Sequence, residues 1–203
     1  MNDKFFGLPE EKQERIIQAA YRVFARNTYK KSPMHEIAGM AGISKSLLFH
    51  YFRNKHELYL FLWEKCAEVT VDYLNRYGCY DSRDLFEMMH RGMRAKLQIF
   101  RECPDMAYFA VRAFYEKDEA ICEDIQKSYQ KFFGWKAQKA LRDVDLEQFV
   151  PGLDLRMMYQ EMYWASEGYL WEMTQRGGLD VDVMERDFEK LLDFWKSIYL
   201  RRD

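Results

Sequence analysis

The feature that most constrains this chain is a pair of helix starts with one glycine between them. Ser32-Pro33 reads as an N-cap hydroxyl followed by proline at the first helical position, and Ser44 reads as a second N-cap. The first of these helices runs only to about Ala41, because Gly42 interrupts it; the second covers Lys45 to about Tyr51. Ala38 is small enough for a close crossing, and Gly42 tolerates the positive φ that a tight turn needs. Ile37, Ile43 and Leu48 pin the second helix to a core. An ordinary corner between two bundle helices would use the same glycine. Against that reading stand Phe49, Tyr51 and Phe52, expected outward beside Lys45, Arg53 and Lys55. Apolar groups among cations make sense where bases and phosphates cover them.

In a helix-turn-helix the second helix enters the major groove with its N-terminal half, which here presents Lys45, Ser46, Leu47, Phe49 and His50. Lys45 can reach guanine acceptors, Ser46 lets backbone approach base edges, and Leu47 and Phe49 can touch thymine methyls. Ser32 and Lys55 stand at helix N-termini, where amides and the positive dipole end suit phosphate oxygens. The net charge of −2 argues against a general polyanion binder, but it conceals an asymmetry. Up to Lys65 the chain holds eleven Lys and Arg against seven Asp and Glu, so the remainder is the acidic part.

The stretch from Glu14 to Leu62 resembles the DNA-binding domain of the tetracycline-repressor (TetR) family of transcriptional regulators. The resemblance is carried by Arg15-Ile16-Ile17-x-Ala19-Ala20, Phe24-Ala25, Tyr29, Ser32 and Glu36-Ile37-Ala38. It continues through Ala41-Gly42-Ile43-Ser44-Lys45, Leu48, His50-Tyr51-Phe52, Lys55 and Leu58. It implies that Lys45 and Ser46 meet bases while Ser32, His50, Tyr51 and Lys55 hold phosphates. Leu47 and Phe49 stand where the family usually has a polar residue and Tyr, and Thr28 replaces a common Gly before Tyr29. Asn27 is then expected to supply the left-handed cap. Repression of transcription is what the resemblance implies.

Elsewhere the apolar spacing is helical. With 48% hydrophobic residues the chain is no disordered one, and only 10 Gly and 4 Pro argue against an all-β fold, so an all-α class is expected. Pro9 with Glu10 and Glu11 opens a helix carrying Ile16, Ile17, Ala20 and Phe24, and Asn54 with Glu57 forms a capping box for a fourth helix reaching Val69. Further helices are predicted over 82–101, 105–115, 119–141 and 154–175. Gly177-Gly178 punctuates, and a last helix is capped by Asp182. A DNA-binding domain over 1–53 and an effector-binding and dimerisation domain over 54–203 are expected, joined within a helix.

The last helix carries Met184, Phe188, Leu191, Trp195 and Ile198, a narrow stripe suited to a seam with a second copy; Trp164, Gly168 and Trp171 on the preceding helix are expected to join it. These helices could equally complete a monomeric core. A site for an apolar or aromatic effector is expected among Met93, Leu97, Phe100, Tyr108, Phe109, Phe114, Phe133, Met162 and Tyr163, with Glu161 orienting a polar or cationic group. Core packing alone would use the same residues. Enzyme chemistry finds little support: His35, His50 and His56 sit in or beside the motif and His90 stands alone. No metal-ligand spacing, phosphate loop or nucleophile elbow appears, so no cofactor is expected. No apolar run approaches the roughly 18 residues of a membrane helix. Cys66, Cys79, Cys103 and Cys122 form no CxxC pair, which suits reduced thiols in a cytoplasm. The expected partners are duplex DNA with a palindromic operator, a second copy, and a small molecule. The competing reading is a helical protein-interaction module whose basic face meets an acidic partner.

Overall fold

A computed structural model describes residues 3–175 and 178–202; Gly177 of the predicted break lies outside them. The described residues form ten α-helices: α1 Asp3–Phe6, α2 Glu10–Arg26, α3 Met34–Met40, α4 Lys45–Tyr51, α5 Lys55–Arg76, α6 Leu85–Glu102, α7 Pro104–Phe114, α8 Cys122–Leu141, α9 Leu155–Gln175 and α10 Val181–Tyr199. The all-α class holds.

The helix ends show how local chemistry sets these limits. Pro9 stands at the N-cap of α2 with Glu10 and Glu11 in its first turn. Its C-cap, Asn27, is extended (φ −127°) and not left-handed: the side chain does the capping, Nδ2 donating to the Val23 carbonyl at 2.9 Å. Ser32 does not cap α3. Its hydroxyl turns back and donates to the Thr28 carbonyl at 2.9 Å, so Pro33 takes the cap position. Ser44 caps α4, accepting from the Leu47 amide at 3.1 Å. Asn54 Oδ1 accepts from the Glu57 amide at 2.8 Å, and Glu57 Oε2 accepts from the Arg53 amide at 2.6 Å, a reciprocal box one residue wider than the usual one. Asp84, not Ser82, starts α6, accepting from the Phe86 amide at 2.8 Å. At the last helix Asp180 replaces Asp182 as cap, receiving the Asp182 and Val183 amides at 3.0 Å.

The chain forms two compact units. One comprises the chain up to Val71 with Glu102–Phe132; the other comprises Asp72–Arg101 with the chain from Phe133 onward. In the first, α2 packs on α3 and α7. Its core is aromatic: the Phe109 ring lies 5.4 Å from Tyr21, 6.0 Å from Phe24 and 4.9 Å from Tyr59. Phe5 of α1 is wholly buried and touches Phe52 at 4.8 Å, so the single turn of α1 closes the underside of α4. In the second unit Leu85, Phe86, Met88, Phe149, Met158, Met162, Leu192 and Trp195 form one buried cluster. The end of α10 is tied down by Val150 N–H donating to the Tyr199 carbonyl at 3.0 Å and Arg201 N–H donating to the Gln148 carbonyl at 2.8 Å.

Candidate nucleic-acid interface and ligand cavity

The turn between α3 and α4 has a specific geometry. Gly42 adopts φ +70°, with nothing within 4 Å of where a Cβ would stand, so glycine is needed there for the backbone and not for space. The Gly42 amide donates to the Gly39 carbonyl at 3.1 Å and the Ile43 amide to the Ala38 carbonyl at 3.0 Å, which satisfies the last carbonyls of α3 in a Schellman arrangement. Ile37, Ala38 and Leu48 are buried beneath the turn. Anchored on Leu48, α4 turns Lys45, Ser46, Leu47, Phe49 and His50 to the outside. Leu47 is 36% and Phe49 38% exposed, and Lys45 Nζ lies 5.8 Å from the Phe49 ring centroid. A short helix thus presents a cation, a small hydroxyl, two apolar groups and an imidazole on one open face.

Four expectations about this region need correction. Tyr51 and Phe52 are buried, not outward, because α1 supplies Phe5 to cover them. Ser32 is also buried, its hydroxyl spent on Thr28. Lys55 does not reach outward: Nζ donates to the Tyr29 carbonyl at 2.8 Å and to the Lys30 and Ser32 carbonyls at 3.3 Å, and it lies 4.7 Å from the Tyr29 ring centroid. Burial pushes its pKa down. Lys55 therefore clamps the loop ahead of α3, whose Tyr29 amide is fixed from the other side by Glu116 Oε2 at 2.7 Å.

The second unit holds an open-sided cavity of about 200 Å³. Its walls are largely apolar, with Leu74, Met88, Met93, Leu97, Met162 and Leu170 among them. They are interrupted by Lys96 and Lys136 and by Tyr80, Tyr159, Tyr163 and Ser166. Lys136 is buried, with Nζ 5.2 Å from the Tyr163 ring centroid. Lys96 also lines the cavity, and its side chain is exposed. Burial lowers the pKa of both amines; Lys136 is held well below the ordinary range, first by desolvation and then by the charge of Lys96. Glu167 lies near enough to favour both ammonium ions, and its own carboxyl is pushed up by burial.

Of the expected ligand residues, Met93, Leu97, Phe100, Met162 and Tyr163 line this cavity. Phe133 stands one layer behind, its ring 4.3 Å from that of Tyr163. Glu161 is turned away, accepting from the Tyr199 hydroxyl at 3.1 Å. Tyr108, Phe109 and Phe114 are elsewhere: all three lie in the first unit. Phe109 fills its aromatic core, Phe114 packs on Tyr129 at 4.6 Å, and Tyr108 is exposed. The sequence reading missed Lys96, Lys136 and Cys79. A signal existed for Lys96, which falls in the apolar stripe Met89, Gly92, Met93, Leu97, Phe100 at helical spacing. Gly92 also has a packing role: a Cβ there would meet Cys79 Sγ at 3.2 Å.

The stripe predicted as a seam divides. Trp195 is 1% exposed, in ring contact with Phe188 at 6.2 Å. Met184, Phe188 and Leu191 line the cavity. These four face inward because α10 completes the core of its own unit. Ile198 faces outward, joined by Phe194, which is 58% exposed. On α9, Met157, Trp164 and Trp171 are exposed at heptad spacing, with exposed Gly168 between the tryptophans.

An all-α chain that mounts a short helix with an outward basic and apolar face on a Schellman turn is a helix-turn-helix protein. Residues 16–61 match the model of the bacterial regulatory proteins, tetR family. Over 183 residues the chain is 25% identical to YerO, an uncharacterised HTH-type transcriptional regulator of Bacillus subtilis, covering 86% of this chain and 60% of that one. A TetR family transcriptional regulator from Chloroflexus aurantiacus superimposes with a TM-score of 0.72 at 22% identity over 99% of both chains. SmeT, the repressor of the Stenotrophomonas maltophilia multidrug efflux pump SmeDEF, does so with 0.72 at 19% identity, over 95% of this chain and 93% of that one. The match to the tetR family model is confined to the helix-turn-helix segment, residues 16–61, and the chain spans 60% of the length of YerO. No described helix is long and apolar enough to cross a membrane.

Proposed function

We propose that the chain is a ligand-responsive transcriptional repressor that binds a palindromic operator as a homodimer and is released by a small molecule in the cavity of its second unit. The observation that carries this is the outward set Lys45, Ser46, Leu47, Phe49 and His50 on a helix anchored by Leu48. In functional terms residues 1–53 read DNA and residues 54–203 bind effector and partner. Two copies, joined through Trp164, Trp171, Phe194 and Ile198, place two α4 helices in successive major grooves, with half-site centres about 34–36 Å apart or a multiple of it. The effector acts by its differential affinity for the two states of the dimer, and operator binding weakens effector binding by the same factor.

Selection of bound sequences from random duplex DNA tests the reading. The expected result is an inverted repeat of the stated spacing, bound with steep salt dependence. Recovery of no sequence preference, with only weak salt-sensitive background, supports instead an interaction module that uses this face on an acidic protein.

A further inference from the structure

We propose that the cavity of the second unit takes an apolar monocarboxylic acid, its carboxylate received by Lys96 and Lys136 and its hydrocarbon body by the surrounding methionine, leucine and aromatic walls. The proposal rests on the reading of this cavity as the effector site and names the effector's chemical class. A cavity with walls as apolar as these selects an apolar body. Two lysines on its wall call for an anionic partner, and the buried Lys136 most of all, because an ammonium ion removed from water needs compensation. They lie close enough to each other that each alters the other's proton affinity. The titratable groups that act on them are Glu167 and Cys79, and Tyr80, Tyr159 and Tyr163 share the cavity wall. Among the described residues Glu167 is the carboxylate that acts on both amines. Two lysines against one glutamate leave at most one positive charge in excess, and an arriving carboxylate favours the protonated amines that would receive it. Its two oxygens can accept from both amines, in the charge-assisted bonds that are the strongest such a site can form. A cationic ligand would face two like charges. A phosphate monoester would bring more negative charge than the one excess cation can match.

Calorimetric titration of the full chain with a matched set of eight-carbon probes tests the class: octanoate, octan-1-ol, octylammonium and octyl phosphate. Octanoate is expected to bind at least tenfold more tightly than octanol, octylammonium not measurably, and octyl phosphate more weakly than octanoate. Lys96→Met and Lys136→Met, each checked for a cooperative melt, are expected to retain octanol binding and to lose the preference for octanoate. Octanol binding as tightly as octanoate, octyl phosphate binding more tightly, or the preference surviving in both variants overturns the proposal. The ranking of probes on the unaltered protein decides even if one variant fails to fold. Octanoate preferred over octanol but leaving an operator complex intact upholds the ligand class and sinks the effector reading. Operator release by octanol as readily as by octanoate upholds the effector reading and sinks the class.

Discussion

At the scale of single residues, the structure separates cations that look alike in sequence. Lys45 is exposed on the open face of α4, whereas Lys55 is committed to three backbone carbonyls. Lys45→Ala is therefore expected to reduce discrimination between operator and random duplex by about 1–3 kcal/mol, measured by competition binding. Equal losses on both DNAs would make Lys45 a phosphate contact. Lys55→Ala is expected to lower the melting temperature while leaving the slope of log affinity against log salt unchanged. A slope flatter by about one unit would return Lys55 to the phosphate set. The thiols divide in the same way. Cys66 and Cys79 are buried, and burial pushes the Cys66 thiol up to about 12. Alkylation of the native protein at pH 8 is expected to reach Cys103 and Cys122 only, with all four modified after denaturation. Mass spectrometry of the adducts reads this directly.

At the scale of elements, the turn at Gly42 has a consequence of its own. A β-branched residue resists φ near +70°, so Gly42→Val costs about 1–3 kcal/mol of stability and displaces α4 on its mount. Chemical denaturation measures the first effect and operator affinity the second; normal values for both would show that the turn tolerates any residue. Most helices were legible because their starts carry their own chemistry, as at Pro9, Ser44 and Asn54-Glu57. Misplaced starts have a common cause: where several polar residues crowd a helix beginning, as at Ser82 to Asp84 or Asp180 to Asp182, sequence cannot say which hydrogen-bonds the free amides. Helix faces were harder. The stripe Met184, Phe188, Leu191, Trp195 is equally suited to a seam or a core, and the choice depends on α6 and α8, which no local pattern reveals. Phe109 likewise suits a cavity or a core by local spacing, because its partners Tyr21, Phe24 and Tyr59 are distant in sequence.

At the scale of the whole molecule, the buried amines make stability depend on pH. The Lys136 ammonium is disfavoured in the folded state, so the unfolded chain binds more protons, and folding gains stability as pH rises. The penalty is complete below the lowered folded pKa and vanishes above the ordinary lysine value of about 10.4. Lys136→Met is expected to raise the melting temperature at pH 7, with the gain shrinking as pH climbs toward about 10. A gain that is constant across this range would assign it to packing alone. If the chain pairs as proposed, Trp164→Asp is expected to yield monomer in sedimentation and to weaken operator binding steeply, because one half-site holds a single copy poorly.

Trp164 and Trp171 are 58% and 40% exposed, while Trp195 is 1% exposed. The molecule therefore carries its own optical reporter of the proposed association. Indoles facing water emit to the red of indoles shut away from it, so diluting the sample should move the emission maximum to longer wavelength as the pair comes apart. The midpoint of that shift gives the dissociation constant with no label attached.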